Sequence, residues 1–283
     1  MISIICVYNN ENIFRNWLLK SLENQTVEFE LIALDNSTGK FKSAAQAYNY
    51  GARQIKKNST YIMFVHQDID LISATWLESV EQTLDQMPSF SIAGVAGMSE
   101  NNRKVLTKIL HGTAPPIQAG DWAGGPVELM TVDECLFIIP RKNFSTYHFD
   151  EQLCDGWHIY AVEYCLRMKT LKQEVYLLPV VVHHKSLGFV DTAYFKSLGK
   201  ILRHYKKQYK KINTTCGVWN TRIPLWYQVF NKKTYDFLKM LTDRGYVPGF
   251  LRRRGRERLW HYLKLFNKSR IQVRSATANG VLV

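Results

Sequence analysis

The chain has 283 residues, 46% of them hydrophobic and 13% aromatic, with a formal net charge of +13. That much apolar material can bury a large core, which excludes a disordered chain and suits one large α/β domain with an appendage. No run of eighteen or more apolar residues occurs and no basic segment precedes the apolar start, so neither a membrane span nor a signal peptide is expected, and the expected compartment is cytoplasmic.

The charge is divided unevenly. Residues 196–283 carry 21 Lys+Arg against 3 Asp+Glu, whereas residues 1–195 carry 16 against 21. Two regions of different character are therefore expected, 1–195 and 196–283. The five cysteines, Cys6, Cys135, Cys154, Cys165 and Cys216, contain no CxxC pair, which favours reduced and mostly buried thiols over a disulfide frame or a zinc site.

In chain order, Ile2–Val7 reads as a strand of β-branched and apolar residues, followed by a polar turn from Tyr8 to Glu11. A helix fits Ile13–Leu22, with Ile13, Phe14, Trp17, Leu18 and Leu22 on one stripe. A second strand, Phe29–Leu34, ends in Asp35-Asn36-Ser37, and an Ala-rich helix over Ser43–Lys57 leads to a third. That third strand, beginning at Tyr61, is apolar to Val65 and then meets His66-Gln67-Asp68-Ile69-Asp70.

This order of strand, helix, strand, helix, strand calls for parallel pairing through right-handed crossovers. The polar tips Tyr8–Glu11, Asp35–Ser37 and His66–Asp70 should then meet at one sheet edge, where ligands of open α/β sheets gather. Carboxylates there can hold a hard cation that grips phosphate oxygens; alternatively, Asp68 and Asp70 merely begin the next helix.

Beyond this edge, Ala74–Gln86 reads as a helix, Ile92–Ala96 as a strand and Ala114–Val127 as a long loop of the kind that forms lids. Val127–Ile139 returns to strand character but carries Asp133 and Glu134, whose burial is costly without partners, so they are expected to face the site or a solvent edge. Glu174–Val182 is one more strand, ending in His183-His184-Lys185. Tyr194–Lys211 and the segment around Leu225–Leu238 read as helices.

Four short motifs in this order, Ser3–Asn10, Leu34–Ser37, Ala44–Gly51 and His66-Gln67-Asp68, resemble those of family 2 glycosyltransferases of the GT-A fold, in the branch typified by streptomycin-biosynthesis glycosyltransferase-like proteins. The likeness covers about residues 1–190. It implies a Rossmann-like, mostly parallel α/β sheet flanked by helices, here with a basic helical C-terminal appendage. It also implies a nucleotide-sugar site, with Tyr8, Asn9, Asp35 and Asn36 at the nucleotide and Asn49 beside it.

The family's metal motif, Asp-x-Asp, is altered here. Asp68 takes the place of its second acid and His66 that of its first, with Asp70 as a substitute or supporting group. The resemblance further implies that a His after the later strand, His183 or His184, completes the metal site and that Lys185 meets the phosphates. Imidazole is a ligand for Mn²⁺ more than for Mg²⁺. With a single acid, low metal affinity until the nucleotide brings its own phosphates, and metal independence, are the other readings of the motif.

The segment Asp155–Arg167 is similar to the family's acceptor and base region, with Trp157 expected at the acceptor together with Asp133 and Glu134. The usual base, however, falls on Ala161. Asp155, His158 and Glu163 are the nearest groups able to take a proton from an acceptor hydroxyl.

The expected activity is thus inverting transfer from a nucleotide-sugar donor, with UDP-sugar favoured, to a glycan, lipid-linked saccharide or glycoprotein. A catalytically inactive nucleotide or glycan binder is the alternative. The basic and aromatic tail, including Phe250–Phe266, suits an anionic membrane surface, ahead of a plain solvated bundle and of nucleic acid.

Overall fold

The computed structural model describes residues 1–243 except 57, 102, 103, 114, 187 and 189, with the backbone alone described over 235–243. The chain divides into two compact units, Met1–Arg222 and Ile223–Val283. The charge asymmetry divides it elsewhere, after residue 195. The tail segment Phe250–Phe266 lies outside the described residues.

Strand β1 (Ile2–Tyr8) is buried from Ile2 to Cys6. Asn10 caps α1 (Glu11–Phe14), its side-chain oxygen accepting the Ile13 amide at 3.0 Å. The helix continues through a π-helical stretch, Arg15–Leu19, into α2 (Lys20–Leu22), and Phe14, Leu18 and Leu22 form its buried stripe. Strand β2 (Phe29–Asp35) follows. Ser43 caps α3 (Ala44–Ala52), a helix shorter than the expected Ser43–Lys57.

Gly51 lets α3 settle on the sheet, because a Cβ there would meet Ile5 Cγ2 at 2.8 Å. Then come β3 (Tyr61–His66), β4 (Ile69–Asp70) and α4 (Trp76–Gln86). Asp68 therefore precedes a short strand and Asp70 ends it, and neither begins the helix.

The middle of the chain is more broken than its composition suggests. The expected strand at Ile92–Ala96 becomes β5 (Ile92–Gly94) and β6 (Ala96–Met98). Short strands β7 (Leu106–Thr107), β8 (Ile109–His111), β9 (Ile117–Gln118) and β10 (Asp121–Trp122) follow, so the expected long loop carries two strands of its own. The Val127–Ile139 segment splits into β11 (Thr131–Val132) and β12 (Leu136–Pro140), leaving Asp133 and Glu134 in the connection between them.

Helices α5 (Arg141–Thr146) and α6 (Tyr160–Thr170) lead to β13 (Val175–Leu177) and β14 (Val182–His184). The unit closes with α7 (Thr192–His204) and a hairpin of β15 (Lys211–Thr214) and β16 (Gly217–Asn220). Helix α8 (Leu225–Asp243) belongs to the second unit.

The central sheet has the order β13-β5-β12-β3-β1-β2. Strand β1 pairs in parallel with β2 and β3, and β13 with β5; β12 alone runs antiparallel, between β3 and β5. The result is a mixed α/β fold with a mostly parallel sheet. Its core joins Ile2, Ile4, Met63 and Val65 from the sheet to Leu18, Leu77, Val80 and Leu84 from the helices. A second sheet, β4-β14-β8-β9, carries the chain end of β3 over to residues 109–111 and 182–184. That sheet brings His184 beside Asp68.

Candidate functional site

Parallel register aligns the polar tips as expected. Tyr8 stands level with Asp35 across β1 and β2, and Val7 with His66 across β1 and β3. Beyond these ends lies an open cavity of about 320 Å³, lined on one side by Tyr8, Asn9, Asn36, His66, Gln67 and Asp68 and on the other by Tyr48, Trp157 and Tyr160.

The wall at β1 is held by Gln67. Its Oε1 accepts the amides of Asn9 and Asn10 at 3.1 and 3.0 Å, and its Nε2 donates to Asn9 Oδ1 at 2.8 Å. Tyr8 stacks on Phe14, with ring centroids 4.6 Å apart. Asn36 closes the neighbouring turn: its Oδ1 accepts the Phe41 amide at 2.7 Å while its own amide donates to the Tyr8 carbonyl. Asp35 sits on the exposed rim, its carboxyl held below the usual range by the amide and hydroxyl of Ser37.

Two of the lining residues, His66 and Asp68, cluster with the buried His184, and the ligating atoms of the three all lie within 4.8 Å of one another. Asp68 Oδ1 is 3.3 Å from His184 Nε2. Burial pushes the Asp68 carboxyl upward, but the hydrogen bond and charge of His184, followed by the charge of His66, outweigh it and bring the group to about 2. Asp68 is therefore ionised at neutral pH. Burial, and then His184, push the His66 imidazole below its ordinary value, which keeps it neutral and able to donate a lone pair.

His184 is 94% buried by its 6% exposure, and its Nδ1 has no hydrogen-bond partner among the described residues. Two imidazoles and one carboxylate, one of the rings with an unsatisfied buried nitrogen, fit a divalent transition metal better than Mg²⁺. His111, which sequence reasoning missed, adds a third ring with its centroid 5.5 Å from that of His184. Its only signal is its place at the end of a three-residue strand of which Ile109 alone is buried.

Several expected site residues lie elsewhere. His183 pairs with Asp70 while His184 pairs with Ile69, so strand alternation sends His183 and Asp70 away from the cluster. They line a separate depression with Trp17; His183 Nε2 contacts the Gly112 carbonyl at 2.6 Å, and Asp70 accepts the Ile72 amide. Lys185 lies on this side too, with Nζ 5.7 Å from the Trp17 ring centroid.

Asn49 is buried, does not line the cavity, and braces the Phe149 backbone at both amide and carbonyl. Glu163 is also buried: Tyr205 donates to its Oε1 at 2.9 Å and Arg167 Nε lies 3.3 Å away, so it anchors α6 and does not open to the cavity.

Asp155 is exposed and accepts Lys200 Nζ at 2.5 Å. His158 lies near the cavity's far wall, 3.5 Å from Asp191 and edge-on to Tyr194. Trp157 lines the cavity and is 40% exposed. Next to these, Ile159 holds φ at 73°, a left-handed conformation costly for a β-branched residue and worth roughly 1–3 kcal/mol of strain. It turns the chain sharply so that Trp157 faces the cavity and α6 begins at Tyr160.

Asp133 and Glu134, both half-buried, stand in the connection next to the Tyr160 side of the cavity. Asp133 accepts the Thr215 hydroxyl at 2.6 Å and the Cys135 amide at 3.1 Å. Glu134 reaches the first turn of α6, its Oε1 accepting the Ala161 amide at 3.3 Å.

The sequence profile described as "Glycosyltransferase like family" matches residues 3–205. No curated protein matches. Among solved structures, GalNAc-T7 with UDP, GalNAc and Mn²⁺ is similar at a TM-score of 0.50 and 11% identity, over 72% of this chain and 48% of that one. The mannosyltransferase PcManGT from Pyrobaculum calidifontis, in complex with GDP-Man and Mn²⁺, gives 0.46 and 10% over 72% and 61%. The catalytic domain of Drosophila β1,4-galactosyltransferase 7 with xylobiose gives 0.39 and 14% over 68% and 76%. The chain thus spans about half the length of the first of these proteins and three-fifths of the second. At these identities the first likeness bears on the fold alone, and it agrees with the GT-A arrangement of a mostly parallel sheet. The profile covers well over half of the chain, and on that ground the chain belongs to the glycosyltransferase-like family.

Proposed function

We propose that the protein transfers a sugar from a nucleotide-sugar donor, UDP-sugar in preference, to a hydroxyl of a glycan, lipid-linked saccharide or glycoprotein, with inversion at the anomeric carbon. The observation that carries this reading is the His66–Asp68–His184 cluster, two of whose members line a cavity at the carboxyl ends of β1 and β3.

In this reading the stacked Tyr8 ring and the Asn9 turn receive the base, and the ionised Asp35 accepts an imide N–H of a uracil. Asn36 and Gln67 keep those turns in place, so the wall is formed before the donor arrives. His66, Asp68 and His184 would hold Mn²⁺, which when bound neutralises charge developing on the departing diphosphate. Trp157 and Tyr160 bound the side from which the acceptor enters, and Trp157 offers a face for a sugar ring.

We assign the transfer chemistry to the region 1–195, within the streptomycin-like branch, and a peripheral role at the cytoplasmic face of an anionic membrane to the basic region 196–283. Support for the second part is the charge of 21 Lys+Arg against 3 Asp+Glu and the exposure of Trp226 and Phe230, one helical turn apart on α8. Among the described residues no helix is long and apolar enough to cross a membrane. A chain lacking 248–283 should lose binding to phosphatidylglycerol vesicles, and unchanged binding argues against a lipid role for that segment.

Calorimetry with UDP and GDP, each with and without Mn²⁺, followed by hydrolysis assays on a panel of sugar nucleotides, tests the reading. Mn²⁺-dependent nucleotide binding together with turnover of one donor is expected. Binding without turnover of any donor would favour a non-catalytic nucleotide binder, for which the Ala at position 161 is the motivating observation.

A further inference from the structure

An inverting transfer needs a base near the acceptor hydroxyl, and the acids around the cavity differ in what already holds them. Asp68 belongs to the histidine cluster. Asp133 is held by Thr215 and the Cys135 amide, and Asp155 by Lys200. Asp191 caps α7 through the Tyr194 amide and faces His158. Glu163 is buried against Tyr205 and Arg167. Glu134 is different. Among the described residues it has neither a cation nor a side-chain donor: only the opening amides of α6, at Ile159, Tyr160 and Ala161, face its carboxyl.

Its position is close to the acceptor side of the cavity. The Tyr160 ring lines that cavity, and its hydroxyl lies 3.4 Å from the Glu134 carbonyl. The Glu134 charge also reaches Tyr48, the other ring of this wall. Glu134 Oε1 accepts the amide of residue 161 at 3.3 Å, so its carboxyl, carried by the β11–β12 connection, sits beside the position at which the usual acid is replaced by Ala161.

Resting on the proposed transfer function, we propose that Glu134 is the catalytic base that takes the proton of the acceptor hydroxyl. As the hydroxyl oxygen forms its bond to the anomeric carbon, the bond from that carbon to the phosphate oxygen breaks and its electron pair leaves with the nucleoside diphosphate. The proton moves to Glu134, which becomes a neutral carboxylic acid. Its half-buried site favours that neutral product.

Burial, and then Asp133, push this carboxyl up to about 8, near the pH at which a base works best. The groups facing it are Asp133 on its own connection, Tyr48 from α3, Cys154 ahead of α6, Tyr160 from α6, Tyr194 from α7 and Cys216 in the hairpin. No cation stands among them.

Water serves as the acceptor in the test, so no saccharide need be known. The full chain with Mn²⁺ is assayed for hydrolysis of UDP-glucose, UDP-galactose, UDP-N-acetylglucosamine and GDP-mannose. Glu134→Gln should lower kcat by about 100-fold or more while UDP–Mn²⁺ affinity stays within about twofold. Glu134→Asp should retain part of the rate. The wild-type rate should climb with pH, reaching half its maximum near 8 and levelling about one pH unit above that, and the Gln variant should lack that climb. A Gln variant that turns over within about threefold of wild type overturns the proposal, as does a parallel loss of UDP affinity, which marks a structural role. A wild-type chain that binds UDP–Mn²⁺ but hydrolyses no donor overturns the transfer reading itself, and this proposal with it.

Discussion

His184 Nε2 stands 3.3 Å from Asp68 Oδ1 because β14 pairs antiparallel with β4, setting His184 opposite Ile69 and His183 opposite Asp70. Neighbouring residues of a strand face opposite ways, so the two adjacent histidines have different surroundings. His184 points into the cluster; His183 turns to the Gly112 carbonyl and the Trp17 ring.

That alternation makes a sharp prediction for metal binding. His184→Ala and Asp68→Ala should each abolish Mn²⁺-dependent UDP binding measured by calorimetry, whereas His183→Ala should leave the Mn²⁺ affinity within about twofold. Circular dichroism should report an unchanged fold in the Asp68 variant. Equal losses on replacing either histidine would show that the metal lies outside the proposed cluster.

Gln67 supports a second prediction, because it joins the ends of β1 and β3 through three hydrogen bonds to Asn9 and Asn10. Gln67→Ala leaves two backbone amides without their acceptor at the mouth of the nucleotide wall. At an exposed site water replaces part of what is lost, so the expected cost is about 1 kcal/mol in UDP affinity, or five- to tenfold in Kd. Isothermal titration of UDP with Mn²⁺ reads it directly; an unaltered Kd would mean that the Asn9 turn does not contact the nucleotide.

The parts of this site legible in the sequence are those that depend on strand ends. Apolar runs at Ile2–Cys6 and Tyr61–Val65 mark buried strands, and parallel register then brings Tyr8, Asp35 and His66 level without further information. The direction of β12 was not readable, since a run buried on both faces looks the same running either way. Strands of two or three residues, such as β4 and β8, have no period to detect. The bracing contacts of Asn49 and Glu163 are not legible, because a polar residue on a helix can face a ligand or brace the core. Their partners, Phe149 and Tyr205, lie far along the chain and are invisible to local pattern.

Glu163 accordingly yields a prediction about stability. Its carboxylate is almost fully buried and holds Tyr205 of the segment after α7 against α6. Glu163→Ala removes the acceptor of a buried hydroxyl and the partner of Arg167, which should lower unfolding free energy by about 2–4 kcal/mol. Urea denaturation gives the value. UDP binding by the folded fraction should be retained, and its selective loss in a variant of normal stability would return Glu163 to the site.

Glu134 links the chemistry to stability through pH. Its carboxyl lies at about 8 in the folded chain, raised by burial and then by Asp133, against an ordinary 4.5. Between those values the folded protein holds a proton that the unfolded chain has released, so unfolding free energy falls as pH rises. The stabilisation is fully present below about 4.5 and is lost as pH climbs through about 8. Glu134→Gln keeps the shape and deletes the titration. Wild type and variant should have similar stability near pH 5, and the variant should be the more stable at pH 9, by on the order of 2 kcal/mol once partial exposure of the carboxyl is allowed for. Denaturation midpoints measured across that range decide the matter. Curves that stay parallel would show that the acid titrates at its ordinary pH, and would remove the pH-linked half of its case as a base.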